Sequence, residues 1–462
     1  MKVYGIDISI KNVPELDSGF IPLSKFAEAF EKSASGKCPI AIAVERDGGQ
    51  IAVRKTFIHG TKEMEQADRV YVERTVKMML WCYGGFKVYI AGSDDMYKFI
   101  AETYCKGGAR EFDADFMARV YERDFEVVGC KYEDAPESVQ KSVSVGRHLN
   151  GCRIGFDAGG SDRKVSAVIE GKPVFSEEVV WFPKTNSDPD YHFNGILEAF
   201  KTAASKMPRV DAIGVSSAGI YVQNRAMVAS LFLKVPLDEF DKKVKDIYIR
   251  AAKEIGDIPL EVANDGDVTA LAGAMSLEDN NVLGIAMGTS EAAGFVDSEG
   301  NITGWLNELA FAPVDLQTDA MEDEWSGDIG CGVKYFSQDG VIKLAPRAGI
   351  KLDESLSPAE KLKVVQGEMN NGSDAARAVY RSIGIYLGHA IGYYSMYYEI
   401  KHMLLLGRVM SGEGGDLIIE NAEKVLKEEY PELANKIQLH LPDEKIRRVG
   451  QSVAAASLPE VK

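Results

Sequence analysis

Residues 153–170, RIGFDAGGSDRKVSAVIE, set an acid, two glycines and a serine between two apolar runs. A β-hairpin that holds nucleotide phosphates is written this way. Gly159 and Gly160 carry no Cβ, so the backbone can turn tightly and bring its N–H groups to an anion. Ser161 adds a hydroxyl donor. Asp157, at the end of the first apolar run, can hold Mg²⁺ directly or through water, or can serve as the acceptor of an Asx turn that fixes the bend. Lys164 either reaches a phosphate or stays a solvated hairpin charge.

Two further clusters carry comparable chemistry. Leu260–Ala263 is a short apolar run that ends in Asn264-Asp265-Gly266-Asp267. A carboxylate at the end of a buried strand can take a proton from a hydroxyl, an effect of roughly 10²–10⁴ in rate. The same four residues also suit a turn with Asp267 as N-cap of a helix starting at Val268. Asn281–Met287 is a strand ending in Gly288-Thr289-Ser290, with Ala292–Val296 as its hairpin partner. This second glycine-and-hydroxyl turn follows the first by about 130 residues. A duplicated domain would set the two face to face across a cleft, on one phosphate chain.

These segments need strands to aim them and helices to cover the sheets. Helical spacing marks Asn194–Lys206, Phe240–Ile255, Val268–Met275, Ala375–Tyr397, Gly415–Glu428 and an alanine- and serine-rich segment at Arg447–Leu458. Strands are expected at Val210–Ser216 and His402–Leu406. Before residue 150 the pattern is also α/β. Ile40–Val44 and Ile51–Phe57 flank a turn, Asp68–Tyr83 presents a helical apolar face closed by Gly84-Gly85, and Phe86–Ile90 reads as a strand. Ser93 caps a helix towards Cys105, and Trp81-Cys82-Tyr83 reads as packing.

Composition bounds the partners. The 462 residues exceed one core, and the 45% hydrophobic and 27% charged content is that of a soluble protein. A net charge of −17 disfavours nucleic acid and anionic membranes as general partners. The six cysteines are dispersed with no C-x-x-C pair, which fits reduced thiols in a cytoplasm. No apolar run reaches the roughly 20 residues of a membrane span, and the first residues lack a signal-peptide core.

From about residue 151 to 460 the order of motifs resembles the ROK group (repressors, open reading frames and kinases) of sugar kinases in the actin-like ATPase superfamily. Asp157-Ala158-Gly159-Gly160-Ser161 is similar to its first phosphate loop, Val262-Ala263-Asn264-Asp265 to its catalytic segment, and Gly288-Thr289 to its second phosphate loop. Glu308, in Asn307-Glu308-Leu309-Ala310-Phe311, is similar to its sugar-binding glutamate. Leu404-Leu405-Leu406-Gly407-Arg408 is similar to its adenosine-side motif. The resemblance implies actin-like (ribonuclease H-like) duplicated domains around a cleft, preceded by an additional α/β domain. Lobes are then expected at 151–275 and 276–445, with the first domain at 1–150 and a helix at about 445–460 packing back on the first lobe.

It further implies an ATP- and Mg²⁺-dependent kinase for a monosaccharide or polyol. Asp265 is the base, and Asn264, Glu308 and Ser217 bind substrate. Gly159, Gly160, Ser161, Lys164, Gly288, Thr289, Ser290 and Gly407 bind nucleotide, and Asp157 serves Mg²⁺. Family analogy adds a homodimer. The family's zinc-binding members use a Cys-x-Cys-Gly-x-x-x-Cys run and a Gly-His histidine. Here Phe311 stands for the histidine and only Cys331 remains, so no structural zinc is expected. Arg408 replaces the second glycine of the adenosine motif. The alternatives are a catalytically silent, sugar-responsive ROK-like regulator, and an ATPase of the dehydratase-activator kind, which the dispersed cysteines disfavour.

Overall fold

The computed structural model describes residues 1–140, 145–442 and 450–461. It divides into two compact units, one of Met1–Lys141, Ile285–Ala293 and Trp305–Leu441, the other of Ser142–Gly284, Gly294–Gly304 and Pro442–Lys462.

In the first unit, α1 (Leu23–Ala34) precedes the hairpin of β1 (Cys38–Arg46) and β2 (Gln50–Ile58), joined by a 3-10 turn at Asp47–Gly49. Helix α2 (Glu65–Tyr83) leads into β3 (Lys87–Ala91), which pairs in parallel with β4 (Glu126–Cys130) and gives a sheet ordered β2-β1-β3-β4. Helix α2 is not the half-solvated amphipath of its apolar spacing. Asp68, Glu73, Arg74 and Lys77 are all buried with its apolar residues. They are tolerated because Glu73, Arg74 and Lys77 have charged partners and Asp68 accepts hydrogen bonds from the His59 and Gly60 amides. Arg74 Nη1, Lys77 Nζ and Arg110 Nη1 reach Asp328 at 2.9, 3.0 and 2.8 Å.

The second unit is built on β5 (Cys152–Ala158), β6 (Asp162–Ile169), β7 (Lys172–Val180), β8 (Ala212–Ser217) and β9 (Leu260–Asn264), ordered β9-β8-β5-β6-β7. Strands β5, β8 and β9 are parallel, and β6 and β7 are antiparallel additions. Helix α3 (Pro189–Ala204) packs on the sheet with Phe200 edge-on to Phe156 at 5.5 Å. Helix α4 (Asp265–Leu277) starts directly from β9.

The helix expected at 240–255 is broken. Phe240–Val244 winds as a π-turn and α-helix resumes at Ile247. The cause is local. Lys245 offers its carbonyl to the Ala226 amide at 2.9 Å, drawing it out of the helical ladder.

In the last part of the chain β10 (Val282–Met287), β11 (Glu291–Val296), β12 (His402–Leu406) and β13 (Gln438–His440) order as β11-β10-β12-β13. Helices α5 (Gln338–Leu344), α6 (Asp374–Tyr394) and α7 (Glu413–Glu429) belong to the first unit. The terminal helix α8 spans Gln451–Ala456 and lies on β5 and β8. Side chains at Gly155 and Gly214 would collide with the Ser452 and Ala455 carbonyls, so both glycines admit this helix. The start expected for it, from about 445 to 449, lies outside the described residues.

Candidate functional site

In the second unit three parallel strands end on one edge. Asp157 is in register with Ser216, Ser216 with Ala263, and Ser217 with Asn264. Ligands of open parallel sheets bind outside such carboxyl ends. The Ser216 hydroxyl donates to Asp157 Oδ1 at 3.1 Å. Gln451, at the head of α8, donates to Ser216 Oγ at 2.9 Å and to the Asp265 carbonyl at 3.2 Å. Sequence reading missed Gln451, which only the docking of α8 brings here.

Helix α4 begins three residues earlier than its apolar spacing suggested. Asn264, not Asp267, is its N-cap, with Oδ1 accepting from the Gly266 amide at 2.7 Å. Its Nδ2 donates to the Gly219 carbonyl at 2.7 Å. Asp267 is buried inside the first turn and accepts from the Phe295 amide at 3.1 Å. Asp265 is the first helical residue and accepts from Gly266 N–H at 3.0 Å. Ser217 faces the other side of the sheet, fully buried, its hydroxyl bonded to Tyr248 at 2.8 Å and Tyr221 at 2.6 Å.

Burial pushes the Asp157 carboxyl up to about 6, helped by Asp265 and opposed by the Ser216 hydrogen bond. Burial also raises Asp265, against the pull of backbone N–H groups and of Lys184. Two desolvated acids, each held by directed hydrogen bonds, make this edge the candidate site.

The glycine hairpin between β5 and β6 is held from outside. Trp181, buried at the end of β7, donates Nε1–H to the Gly159 carbonyl at 2.7 Å and N–H to the Ser161 carbonyl at 3.1 Å. Neither Gly159 nor Gly160 has positive φ. Their smallness serves close approach instead. A Cβ on Gly159 would lie 2.7 Å from the Asp162 carbonyl, and one on Gly160 2.9 Å from Lys184 Cε. Ser161 donates to Asp162 at 3.0 Å, and exposed Lys164 pairs across the strands with Glu178 at 3.5 Å.

In the first unit, Gly407 (φ 94°) crosses the end of β10 so closely that a Cβ would strike the Met287 backbone. Only glycine fits there. The crossing sets Gly407 beside the Gly288 turn, where Gly288 N–H donates to the Ser290 carbonyl at 3.0 Å and Thr289 and Ser290 are exposed. The Gly288 carbonyl accepts from the Gln338 amide of α5 at 2.9 Å.

Half-buried Glu308 stands on α2. Its amide donates to the Trp81 carbonyl at 2.9 Å and that of Asn307 to the Cys82 carbonyl at 3.0 Å. These are carbonyls that a helix C-terminus leaves unpaired. Trp81 also packs on Phe311 at 4.3 Å. Buried Glu291 is raised by burial and by the nearby Glu308. The acidic tract before Trp325 is only partly solvated. Trp325 is 65% exposed, but Asp323 is buried and accepts from Ser326.

No protein-family model and no curated protein matches the sequence. Solved structures do match by fold. A ROK hexokinase from Thermus thermophilus aligns over 66% of this chain and 97% of its own, at 18% identity and a TM-score of 0.51. The fold is that of the ROK proteins. A ROK family transcriptional regulator, described as a homolog of the E. coli MLC protein, aligns over 67% of this chain and 79% of its own, at 17% identity and a TM-score of 0.50. This α/β architecture is the actin-like ATPase fold expected from the order of motifs.

The residues in the place of the ROK zinc site do not suit the metal. Cys331 is buried with its thiol towards Asp328, and Phe311 packs among Trp81, Phe112 and Phe116. Among the described residues no group of three or more His, Cys, Asp or Glu is placed to hold a metal ion, and no helix is long and apolar enough to cross a membrane.

Proposed function

We propose that the protein is an ATP-dependent kinase that phosphorylates a hydroxyl of a monosaccharide or related polyol. The convergence of Asp157 and Asp265 at one sheet edge, beside the glycine hairpin, carries this reading. Phosphoryl transfer needs alignment, charge neutralisation and a proton acceptor more than covalent help. Asp265 fills the last role. Its carboxylate takes the acceptor's proton as the acceptor oxygen attacks the γ-phosphorus.

The backbone of Gly159, Gly160 and Ser161 cradles phosphate. Asn264 holds the Gly219 loop, and through it the acceptor side. Asp157 fits Mg²⁺, since burial, with a smaller push from Asp265, disfavours its charged form, and a divalent cation would offset both. When bound, the ion would supply charge neutralisation on the phosphates.

A screen for ADP release from Mg-ATP against hexoses, amino sugars and cyclic polyols tests the proposal. Release with one compound class supports it. The ROK regulator among the fold neighbours favours a second reading, a sugar-responsive binding protein. Acceptor binding without ADP release would move the assignment there.

A further inference from the structure

We infer that Lys184 is a catalytic residue of this site, placing its ammonium on the phosphoryl group that the Gly159–Ser161 hairpin presents. The inference rests on the kinase reading above.

Its first support is position. The Lys184 Nζ lies 3.1 Å, and its Cε 2.9 Å, from where a Cβ on Gly160 would stand. The side chain therefore lies over the glycine whose bareness leaves it room. The second support is reach. The Lys184 charge is among those that act on Asp265, so one cation serves both the hairpin and the proposed base.

The third support is anchoring. Lys184 sits in a 3-10 turn, Pro183–Thr185, that starts two residues after Trp181, which is pinned to the Gly159 and Ser161 carbonyls. Pro183 is buried, Phe182 N–H donates to the Tyr191 hydroxyl at 3.0 Å, and Thr185 Oγ1 donates to the Phe182 carbonyl at 3.2 Å. The backbone of the turn is thereby fixed, and Lys184 itself is exposed. Lys164, the lysine nearer in sequence, already faces Glu178.

In the transfer step the acceptor O–H proton passes to Asp265 and the acceptor oxygen bonds to the γ-phosphorus. The bond from that phosphorus to the bridging oxygen breaks, with its electrons leaving on ADP. Lys184 stabilises the charge spread over the transferring oxygens and takes no part in the proton transfer. One such preorganised donor is typically worth about 10²–10³ in kcat. Trp181 is a positioning residue, acting through the hairpin and the turn.

The test uses full-length wild type, Lys184→Met and Lys184→Arg. Titration calorimetry with Mg-AMPPNP and Mg-ADP should show Lys184→Met weakening AMPPNP at least tenfold and ADP less than threefold, because only AMPPNP carries the third phosphate. With an acceptor from the screen, kcat should fall about 10²-fold or more, with partial rescue by Lys184→Arg. The acid limb of the pH profile should move upward once the cation near Asp265 is gone. Equal loss for both nucleotides, or kcat within twofold of wild type, would overturn the inference. A wild type that binds Mg-AMPPNP but phosphorylates nothing would count against the kinase reading instead, leaving the calorimetry to decide Lys184.

Discussion

The strand ends of the second unit and the Glu308 turn of the first are held by different forces. At the strand ends the backbone sets the geometry. Asp157, Ser216 and Asn264 fall in the last two residues of three parallel strands, and pairing register sets Asp157 level with Ser216, and Asn264 level with Ser217. Around Glu308 the backbone is irregular, and position comes from buried charge and a helix end. The Trp81 and Cys82 carbonyls hold the turn, and three cations on Asp328 brace the loop that follows. The difference teaches where each site is fragile. Substitutions at the strand ends should alter chemistry with little cost in stability, whereas those around Asp328 should unfold the region first.

The largest contrast is expected between Asp265→Asn and Asp328→Asn. The first should lower kcat by about 10³, within the range for a lost general base, with Tm within about 2 °C of wild type. The second removes the one carboxylate shared by Arg74, Lys77 and Arg110, leaving the three cations to Glu73 and Asp113 alone. Breaking a buried ion network in this way typically costs about 3–5 kcal/mol, visible as a lowered urea midpoint. A stable Asp328→Asn protein would break the comparison.

Asp157→Asn sharpens it from the other side. The folded carboxyl titrates at about 6, above its unfolded value, so its ionisation opposes folding above that pH. The penalty is complete above about pH 6 and vanishes below about pH 4, where the group is protonated in both states. The variant should be more stable than wild type by about 1–3 kcal/mol at pH 8, lose that gain at pH 4, and lose Mg²⁺-dependent turnover. Denaturant titrations at the two pH values check the sign.

Ser216→Ala should have the smallest effect. Without its hydrogen bond Asp157 rises further, and the acid limb of the pH–rate profile should shift upward by a few tenths of a pH unit.

Legibility in sequence follows the same division. Asp157 and Asp265 could be read because each closes an apolar run, and a strand's end is a local property. Gly407 could be read for the same reason. The Asn264 cap was misassigned to Asp267 because the helix starts on a polar turn, before its apolar periodicity begins. The burial of Arg74 and Lys77 was invisible, since the carboxylate they share, Asp328, lies some 250 residues further along the chain. So was the use of Trp81 and Cys82, which act through backbone carbonyls that any residue carries. Lys184 was missed because what places it is Trp181, a residue that reads as core.

The most direct test of the central claim is ³¹P NMR of the full-length protein with Mg-ATP and the acceptor found by the screen, compared with Asp265→Asn. The account predicts a phosphate-ester resonance growing in step with ADP for wild type, and none above background for the variant. No ester from wild type, or equal ester from both, would contradict it.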